Sequence, residues 1–256
     1  MKHILPLCFT VIALCACCQS QDSDSGDIYK KVSADTMLFI TNDTIDGIPF
    51  IKMQMNKDAA YISMADSVIP SLDDSTIALC VGAAFTGELL PDFKTTNVAG
   101  DYVIDGMLHK GYDCDANTGF LYADKKIFTI SSLDNRKEWT DNAVKNGGTL
   151  FEQMMIVKNG KNSYPGKPIK PQVSDIYRSV CIMNDGNFAV IQSLDSVSLG
   201  NYISSLIKLG VSDALYLDMG RGWNYGWYRE TAASDETVLF DYRTPYQTNW
   251  LVIRKK

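Results

Sequence analysis

The chain has 256 residues, of which 46% are hydrophobic and 11% aromatic, so it is long enough and apolar enough to bury a large globular core. Its 24 Lys and Arg against 30 Asp and Glu give a formal net charge of −6. This acidity argues against the basic surface that tracks a nucleic-acid backbone, and we expect no nucleic-acid partner.

The first residues have the pattern of a secretory signal. Lys2 precedes an apolar run from Ile4 to Ala16, which is too short to span a bilayer and ends abruptly in polar residues. The end of this run, "LCAC", resembles a bacterial lipobox, with Cys17 as the lipidated first residue of the mature chain and the adjacent Cys18 as the alternative. We therefore expect residues 1–16 to be a lipoprotein signal peptide, and the membrane to be contacted only through the lipid anchor.

Residues 17–28 form an acidic, Ser-rich stretch that is typical of a flexible, solvated leader. The stretch "QSQDSDSGD" also resembles the acidic tag that follows the lipidated Cys in some bacterial surface lipoproteins. These features predict a secreted protein of the cell envelope. We expect an outer-membrane lipoprotein exposed on the cell surface, with the periplasm as the alternative location.

No linker or repeat divides residues 29–256, and we expect one domain there. Short runs rich in β-branched and aromatic residues dominate, so predicted strands outnumber helices. One helix is predicted in "SLGNYISSLIKLG", with Ser198 as its N-cap and Gly210 as its end. A weaker helical pattern starts near Ser132 and closes at Gly147.

The cysteines and histidines offer little support for a metal site or a nucleophile. Outside the signal and anchor only Cys80, Cys114 and Cys181 remain, without a CxxC pair, and we expect small buried apolar residues with at most one disulfide. His109 is the one histidine outside the signal, and no catalytic motif surrounds it. We expect no metal and no other cofactor.

The loop in "VGAAFTGE" is the first candidate region for a site. Small residues follow a strand-like run, and Phe85 and Glu88 then stand where the chain turns. An exposed loop acid is the ordinary interpretation of Glu88. The alternative is a carboxylate that takes part in a reaction.

Arg178 is the second candidate. In "IYRSVCIM" it shares a face with Val180 and Ile182, which indicates an inward-pointing row. A guanidinium there needs a partner, which is either a buried carboxylate in a structural role or the phosphate of a ligand. The sequence leaves both open.

The stretch "LDMGRGWNYGWYR" is the third candidate. A predicted "NDG" hairpin at Asp185–Gly186, a helix and a strand lead to Asp218 at a strand end, where ligands gather in layered α/β folds. Glycines that permit close backbone approach and rings that can stack on a sugar follow it. The candidates there are Gly220, Gly222, Trp223, Asn224 and Tyr225. Side chains alternate between the two faces of a strand, so the rings at positions 223, 225 and 227 could equally lie together on one face buried in the core.

Four stretches in residues 75–256 resemble, in order, the phosphodiester glycosidase family. They are "AAFTGE", "MMIVKNGK", the run from "YRSVCIMNDG" to "LYLDMG", and "TNWLVI". The third is similar to the family's Arg-Thr-Ala strand, Asp-Gly hairpin, helix and Asp-Gly-Gly-Gly-Ser loop. The residues that match the family's motifs are Phe85, Arg178, Asp218 and Gly220. The Ser of that loop and the first Asn of the family's Asn-Gly-Gly-Phe-Phe segment are absent.

The resemblance implies a single α+β domain with a mixed, twisted β-sheet and packed helices. It also implies a lipid-anchored hydrolase that cleaves a sugar-1-phosphodiester or related glycosidic linkage in a glycan or envelope polymer. A carbohydrate or sugar phosphate is then the expected partner.

In that hypothesis Arg178 holds the phosphate, Asp218 acts as a base or stabilises the cationic sugar, and Glu88 is the partner carboxylate. Trp223 and Tyr225 stack on the sugar. Two alternatives remain: a non-catalytic glycan-binding surface lipoprotein on the same scaffold, and a structural envelope protein whose aromatic run is wholly buried.

Overall fold

Antiparallel β-strands are the main secondary structure of the described chain. The computed structural model describes residues 34–86, 98–164, 166, 175–220, 224–241 and 249–256. All of these belong to one compact unit, residues 33–256. The predicted signal peptide, the acidic leader and the lipidation site Cys17 lie outside the described residues, so they stay predictions.

Seven strands form the largest sheet, which we call sheet 1; strands are numbered along the chain. Their spatial order is β1 (Leu38–Ile45), β2 (Ile48–Met55), β13 (Phe188–Ser193), β12 (Arg178–Met183), β14 (Val211–Tyr216), β10 (Met155–Lys158) and β11 (Lys161–Asn162). Neighbouring strands in this order all pair antiparallel.

Two five-stranded sheets complete the β-structure. Sheet 2 has the order β16 (Thr237–Phe240), β15 (Gly226–Tyr228), β4 (Ile77–Gly82), β17 (Asn249–Lys255) and β3 (Ala60–Asp66). Sheet 3 has the order β6 (Met107–His109), β5 (Tyr102–Ile104), β9 (Thr149–Gln153), β7 (Gly119–Ala123) and β8 (Phe128–Ser132). Both are antiparallel throughout.

The two faces of sheet 1 lie in two different cores. On β12, Val180 packs in a cluster that includes Val81 of sheet 2 and Leu121 of sheet 3. The next residue, Cys181, points the other way into a cluster with Tyr202 of the helix described below. Successive side chains of a strand alternate between faces, so one face of sheet 1 meets the other sheets and the opposite face carries a helix.

Both predicted helices are present. Helix α2 (Leu199–Lys208) begins after Ser198, whose hydroxyl accepts a hydrogen bond from Asn201 N at 3.3 Å. Gly210 follows its end with φ +85°. Helix α1 (Arg136–Asn146) follows a 3₁₀ turn at Leu133–Asn135 and ends at Gly147, which has φ +64°.

The prediction of an α+β domain with a mixed sheet and packed helices is wrong. Among the described residues there are three antiparallel sheets and two α-helices, so the protein is mainly β. The error has a physical cause: strands buried on both faces, such as the wholly buried β4, have the continuous apolar runs that parallel sheets also show. In the part of the chain that the structure describes, no helix has the length and apolarity needed to cross a membrane.

Candidate functional site

Asp218 joins two loops at one end of the molecule. It lies two residues beyond the end of β14, and its backbone N donates to the Ala83 carbonyl at 3.1 Å. Its carboxylate accepts hydrogen bonds from Gly220 N at 3.0 Å and from Thr86 N at 3.4 Å. The loop after β14 and the loop after β4 are therefore held together by one side chain.

The Asp218 carboxyl is buried, and the described part of the chain places no counter-charge beside it. Its residue is 7% exposed, and no Lys or Arg among the described residues pairs with it. Burial raises the pKa of this carboxyl to about 6, although the hydrogen bonds from the Gly220 and Thr86 backbone N–H groups act to lower it. A carboxyl with this pKa can both give and take a proton near neutral pH, as general acid–base catalysis requires.

Two buried amide side chains fix the loop after β4. Asn249, at the start of β17, accepts from Ala84 N at 2.7 Å and donates to the Ala84 carbonyl at 3.2 Å. Gln153, at the end of β9, donates to the Ala83 carbonyl at 3.3 Å. Neither residue was a candidate from the sequence. The signal in the sequence was a polar residue at the end of an apolar strand, because a buried polar group needs a hydrogen-bond partner.

Three half-buried aromatic side chains line the surface beside Asp218, and we call them the aromatic wall: Phe85, Tyr177 and Tyr216. The ring centroids of Phe85 and Tyr216 are 5.6 Å apart, and those of Tyr216 and Tyr177 are 6.3 Å apart. The Tyr216 hydroxyl accepts from Met219 N at 3.1 Å. Only Phe85 was a candidate from the sequence, although alternation did place Tyr177 on the face opposite Arg178. The wall offers apolar ring surfaces with polar edges, which suit a sugar.

Arg178 lies on the other face of sheet 1 and does not meet Asp218. Its Nε donates to Gln192 Oε1 at 2.8 Å, and its Nη2 donates to the Asn224 carbonyl at 3.4 Å. A Cβ added to Gly226 of sheet 2 would come within 3.1 Å of Nη2, so the guanidinium packs directly under that glycine.

The Arg178 guanidinium is fully buried, and burial lowers its pKa to about 10. No carboxylate among the described residues pairs with it, and its Nη1 has no hydrogen-bond partner there. Of the two partners that the sequence left open, a buried carboxylate is therefore not seen at Arg178 in the described part of the chain, where the guanidinium binds an amide and a backbone carbonyl. A phosphate of a ligand stays a prediction.

The aromatic run after Asp218 is partly core. Tyr225 and Trp227 are 1% and 0% exposed, and they pack with Cys80 and Trp250. The Tyr225 ring therefore has no exposed face on which a sugar could stack. The other candidates differ in position: Asn224 is half-buried, Gly220 is exposed, and Glu88, Gly222 and Trp223 lie outside the described residues.

The cysteines match their expected character in part. Cys80 and Cys181 are buried, Cys114 is half-buried, and none of the three forms a disulfide within the described residues. Within the described ranges, no three His, Cys, Asp or Glu side chains come together in a way that could hold a metal ion.

No protein-family model matches this chain, and no curated protein matches it in sequence. Its fold, however, is similar to solved structures. One is the catalytic domain of zebrafish N-acetylglucosamine-1-phosphodiester alpha-N-acetylglucosaminidase, auto-inhibited by its pro-peptide. The TM-score is 0.55 at 13% identity, over 86% of this chain and 82% of that one.

The fold is also similar to that of a hypothetical protein from Synechocystis. The TM-score is 0.55 at 11% identity, over 86% of this chain, which spans 62% of the length of that protein. At these identities the likeness shows the fold alone. The chain thus has the fold of a phosphodiester glycosidase catalytic domain.

Proposed function

We propose that this protein is a hydrolase that cleaves a sugar-1-phosphodiester or related glycosidic linkage, with Asp218 as the residue that transfers the proton. The observation that carries the proposal is the buried Asp218 carboxyl, which has no counter-charge among the described residues and lies beside the aromatic wall. The fold shared with a glycosidase catalytic domain supports the same reaction class.

In this proposal the aromatic wall stacks on the sugar and Asp218 faces the scissile linkage. Cleavage develops positive charge on the sugar ring, and a carboxylate beside it stabilises that charge. Arg178 acts as a positioning residue, since its bond to the Asn224 carbonyl anchors one end of the loop whose other end Asp218 holds through Gly220 N.

The substrate and the location are further parts of the proposal. The lipobox-like sequence at Cys17 and the acidic leader support a lipid-anchored protein of the cell envelope. A glycan or envelope polymer on the same surface is then the accessible substrate. Glu88, the partner carboxylate expected from the sequence, lies outside the described residues.

A non-catalytic glycan-binding protein is the second candidate. The observation that favours it is the aromatic wall itself, since three neighbouring rings bind a sugar without any need for a reaction. Such a protein would bind a glycan and release no product.

The test is incubation of the full chain, purified in detergent, with an N-acetylglucosamine-1-phosphodiester, followed by mass spectrometry. We expect free sugar from the parent and a rate at least about 100-fold lower from Asp218→Asn, the minimum usual for a lost acid–base group. Asp195→Asn, which changes an exposed acid on the bend after β13, is the matched control and keeps the parental rate.

Full turnover by Asp218→Asn would show that the assignment is wrong. Glycan binding without product, weakened by Tyr177→Ala and by Tyr216→Ala, would establish the binding protein instead.

A further inference from the structure

Asp175 lies at the same end of sheet 1 as the candidate site. Strands β12 and β14 pair antiparallel with Ser179 opposite Tyr216. Continued beyond the strand ends, this register places Tyr177 opposite Asp218. Asp175 precedes Tyr177 by two residues and pairs with Val197 in an isolated bridge. Asp175 and Asp218 thus lie just beyond the ends of two neighbouring strands.

The aromatic wall lies between the two carboxyl groups. Tyr177 and Tyr216 form its edge-to-face ring contact, with the centroids 6.3 Å apart. Burial is the main cause that raises the pKa of both phenols. The negative charge of Asp175 adds to this effect in both, and that of Asp218 adds to it in Tyr216. Tyr216 is therefore the common electrostatic neighbour of both acids.

A catalytic acid and a catalytic base need different surroundings, and the surroundings of Asp218 and Asp175 differ. Asp218 is buried, whereas Asp175 is exposed. The backbone of Asp175 is nevertheless fixed, because it exchanges two hydrogen bonds with Val197, at 3.1 and 2.9 Å. One carboxylate oxygen accepts from Ile176 N at 2.8 Å. A fixed backbone thus presents an acid to solvent next to the wall.

We propose that Asp175 is the second catalytic carboxyl group of this site and activates the attacking water. This inference rests on the proposed function. In the reaction Asp218 gives its proton to the leaving oxygen as the bond from that oxygen to the anomeric carbon breaks. Asp175 takes a proton from water, whose oxygen forms the new bond to the anomeric carbon. One water is consumed, and each carboxyl recovers its starting state when the proton returns to Asp218 through solvent.

The site predicts inversion at the anomeric carbon. A base that faces solvent activates a water on the side of the sugar opposite the leaving group, so the released sugar has the opposite configuration. Proton NMR of the first product formed, before mutarotation, measures this outcome.

The experiment compares the full-length parent chain with Asp175→Asn, Asp175→Ala and Asp218→Asn, using the same N-acetylglucosamine-1-phosphodiester. We expect Asp175→Asn to lower kcat by at least about 100-fold while KM changes little, since the lost group acts on water and not on the sugar. Added azide restores turnover in Asp175→Ala by attacking the anomeric carbon itself, and the product is a glycosyl azide. Asp195→Asn is the control and keeps the parental kcat.

The outcomes separate this inference from the proposed function. If Asp218→Asn is inactive while Asp175→Asn keeps kcat within about threefold of the parent, the inference is overturned and the proposed function stands. Retention of configuration also overturns the role of Asp175 as the water-activating base. Absence of any turnover by the folded parent overturns the proposed function and the inference with it. Matching thermal melting curves for parent and variants exclude misfolding as the cause of a loss.

Discussion

Arg178 and Asp218 are both buried charges without a counter-charge among the described residues, yet they occupy opposite faces of one sheet. Arg178 lies between sheets 1 and 2 and is bound to Gln192 and the Asn224 carbonyl. Asp218 faces the aromatic wall and is bound to backbone N–H groups. The Arg178 Nη1 that remains unbound is enclosed by protein, while the Asp218 carboxyl stands beside half-buried rings.

Burial of a charge therefore does not by itself mark a reactive group. A guanidinium has five N–H donors in a rigid plane, so it can tie together side-chain and backbone oxygens of separate segments. A carboxyl of raised pKa is suited to exchanging a proton instead. In our proposal the Arg178 side chain organises the loop after β14, and the Asp218 carboxyl exchanges the proton.

The largest expected effect concerns the Arg178 side of this comparison. Gln192→Leu leaves the buried Arg178 Nε without its partner, and we expect the free energy of unfolding to fall by about 3 kcal/mol. Urea unfolding followed by tryptophan fluorescence measures it. The double variant Arg178→Met with Gln192→Leu should lose less, because both polar partners are then removed together. An equal or larger loss in the double variant would show that Arg178 stabilises the fold through other contacts.

The second effect concerns the Asp218 side and depends on pH. Its pKa is raised from 3.8 to about 6 in the folded protein, so the unfolded chain releases this proton first as the pH rises. The parent therefore loses stability between pH 4 and pH 6, and Asp218→Asn avoids that loss. We expect the stability of the variant relative to the parent to increase by about 2 kcal/mol from pH 4 to pH 7.

Urea unfolding of parent and Asp218→Asn at both pH values measures this change. The comparison at pH 4 serves as the internal reference, because the carboxyl is protonated there in the folded protein and only partly ionised in the unfolded chain. Parallel pH profiles of the two proteins would contradict the raised pKa.

The smallest expected effect concerns the aromatic wall. Tyr216→Phe removes the hydroxyl that accepts from Met219 N, and we expect a loss of about 1 kcal/mol with the ring surface retained. Sugar binding, followed by calorimetry, should then be nearly unchanged. Tyr122→Phe is the control, because Tyr122 lies in sheet 3, belongs to a different core cluster from the wall and loses only a hydroxyl that donates to Asp124. A larger effect on sugar binding from Tyr122→Phe than from Tyr216→Phe would contradict the position of the wall.

The locally determined features could be predicted from the sequence. The N-cap at Ser198, the hairpin turn at Gly186 and the strand end before Asp218 each depend on a few neighbouring residues, and the structure contains all three. The arrangement of strands into three antiparallel sheets depends on distant pairs, such as β13 with β2, which no local pattern specifies.

The candidate site also depends on contacts between residues that are distant in the chain, which a local pattern does not specify. Alternation correctly predicted that Arg178 points inward, but its partner Gln192 comes from the paired strand. Alternation also grouped Tyr225 with Trp227, and only the tertiary structure showed that this shared face is core. Asn249 stands out in the sequence only as a polar residue next to an apolar run, and its partner Ala84, 165 residues away in the chain, could not be predicted.

That separation has a kinetic consequence for the site. The loop after β4 takes its shape from a contact that closes a span of 165 residues, and contacts of such range are among the slowest to form in a folding chain. The two loops around Asp218 can reach their final arrangement only once β17 has joined β4. During refolding, sugar binding should therefore return with the slowest structural phase, and it would report the completion of folding.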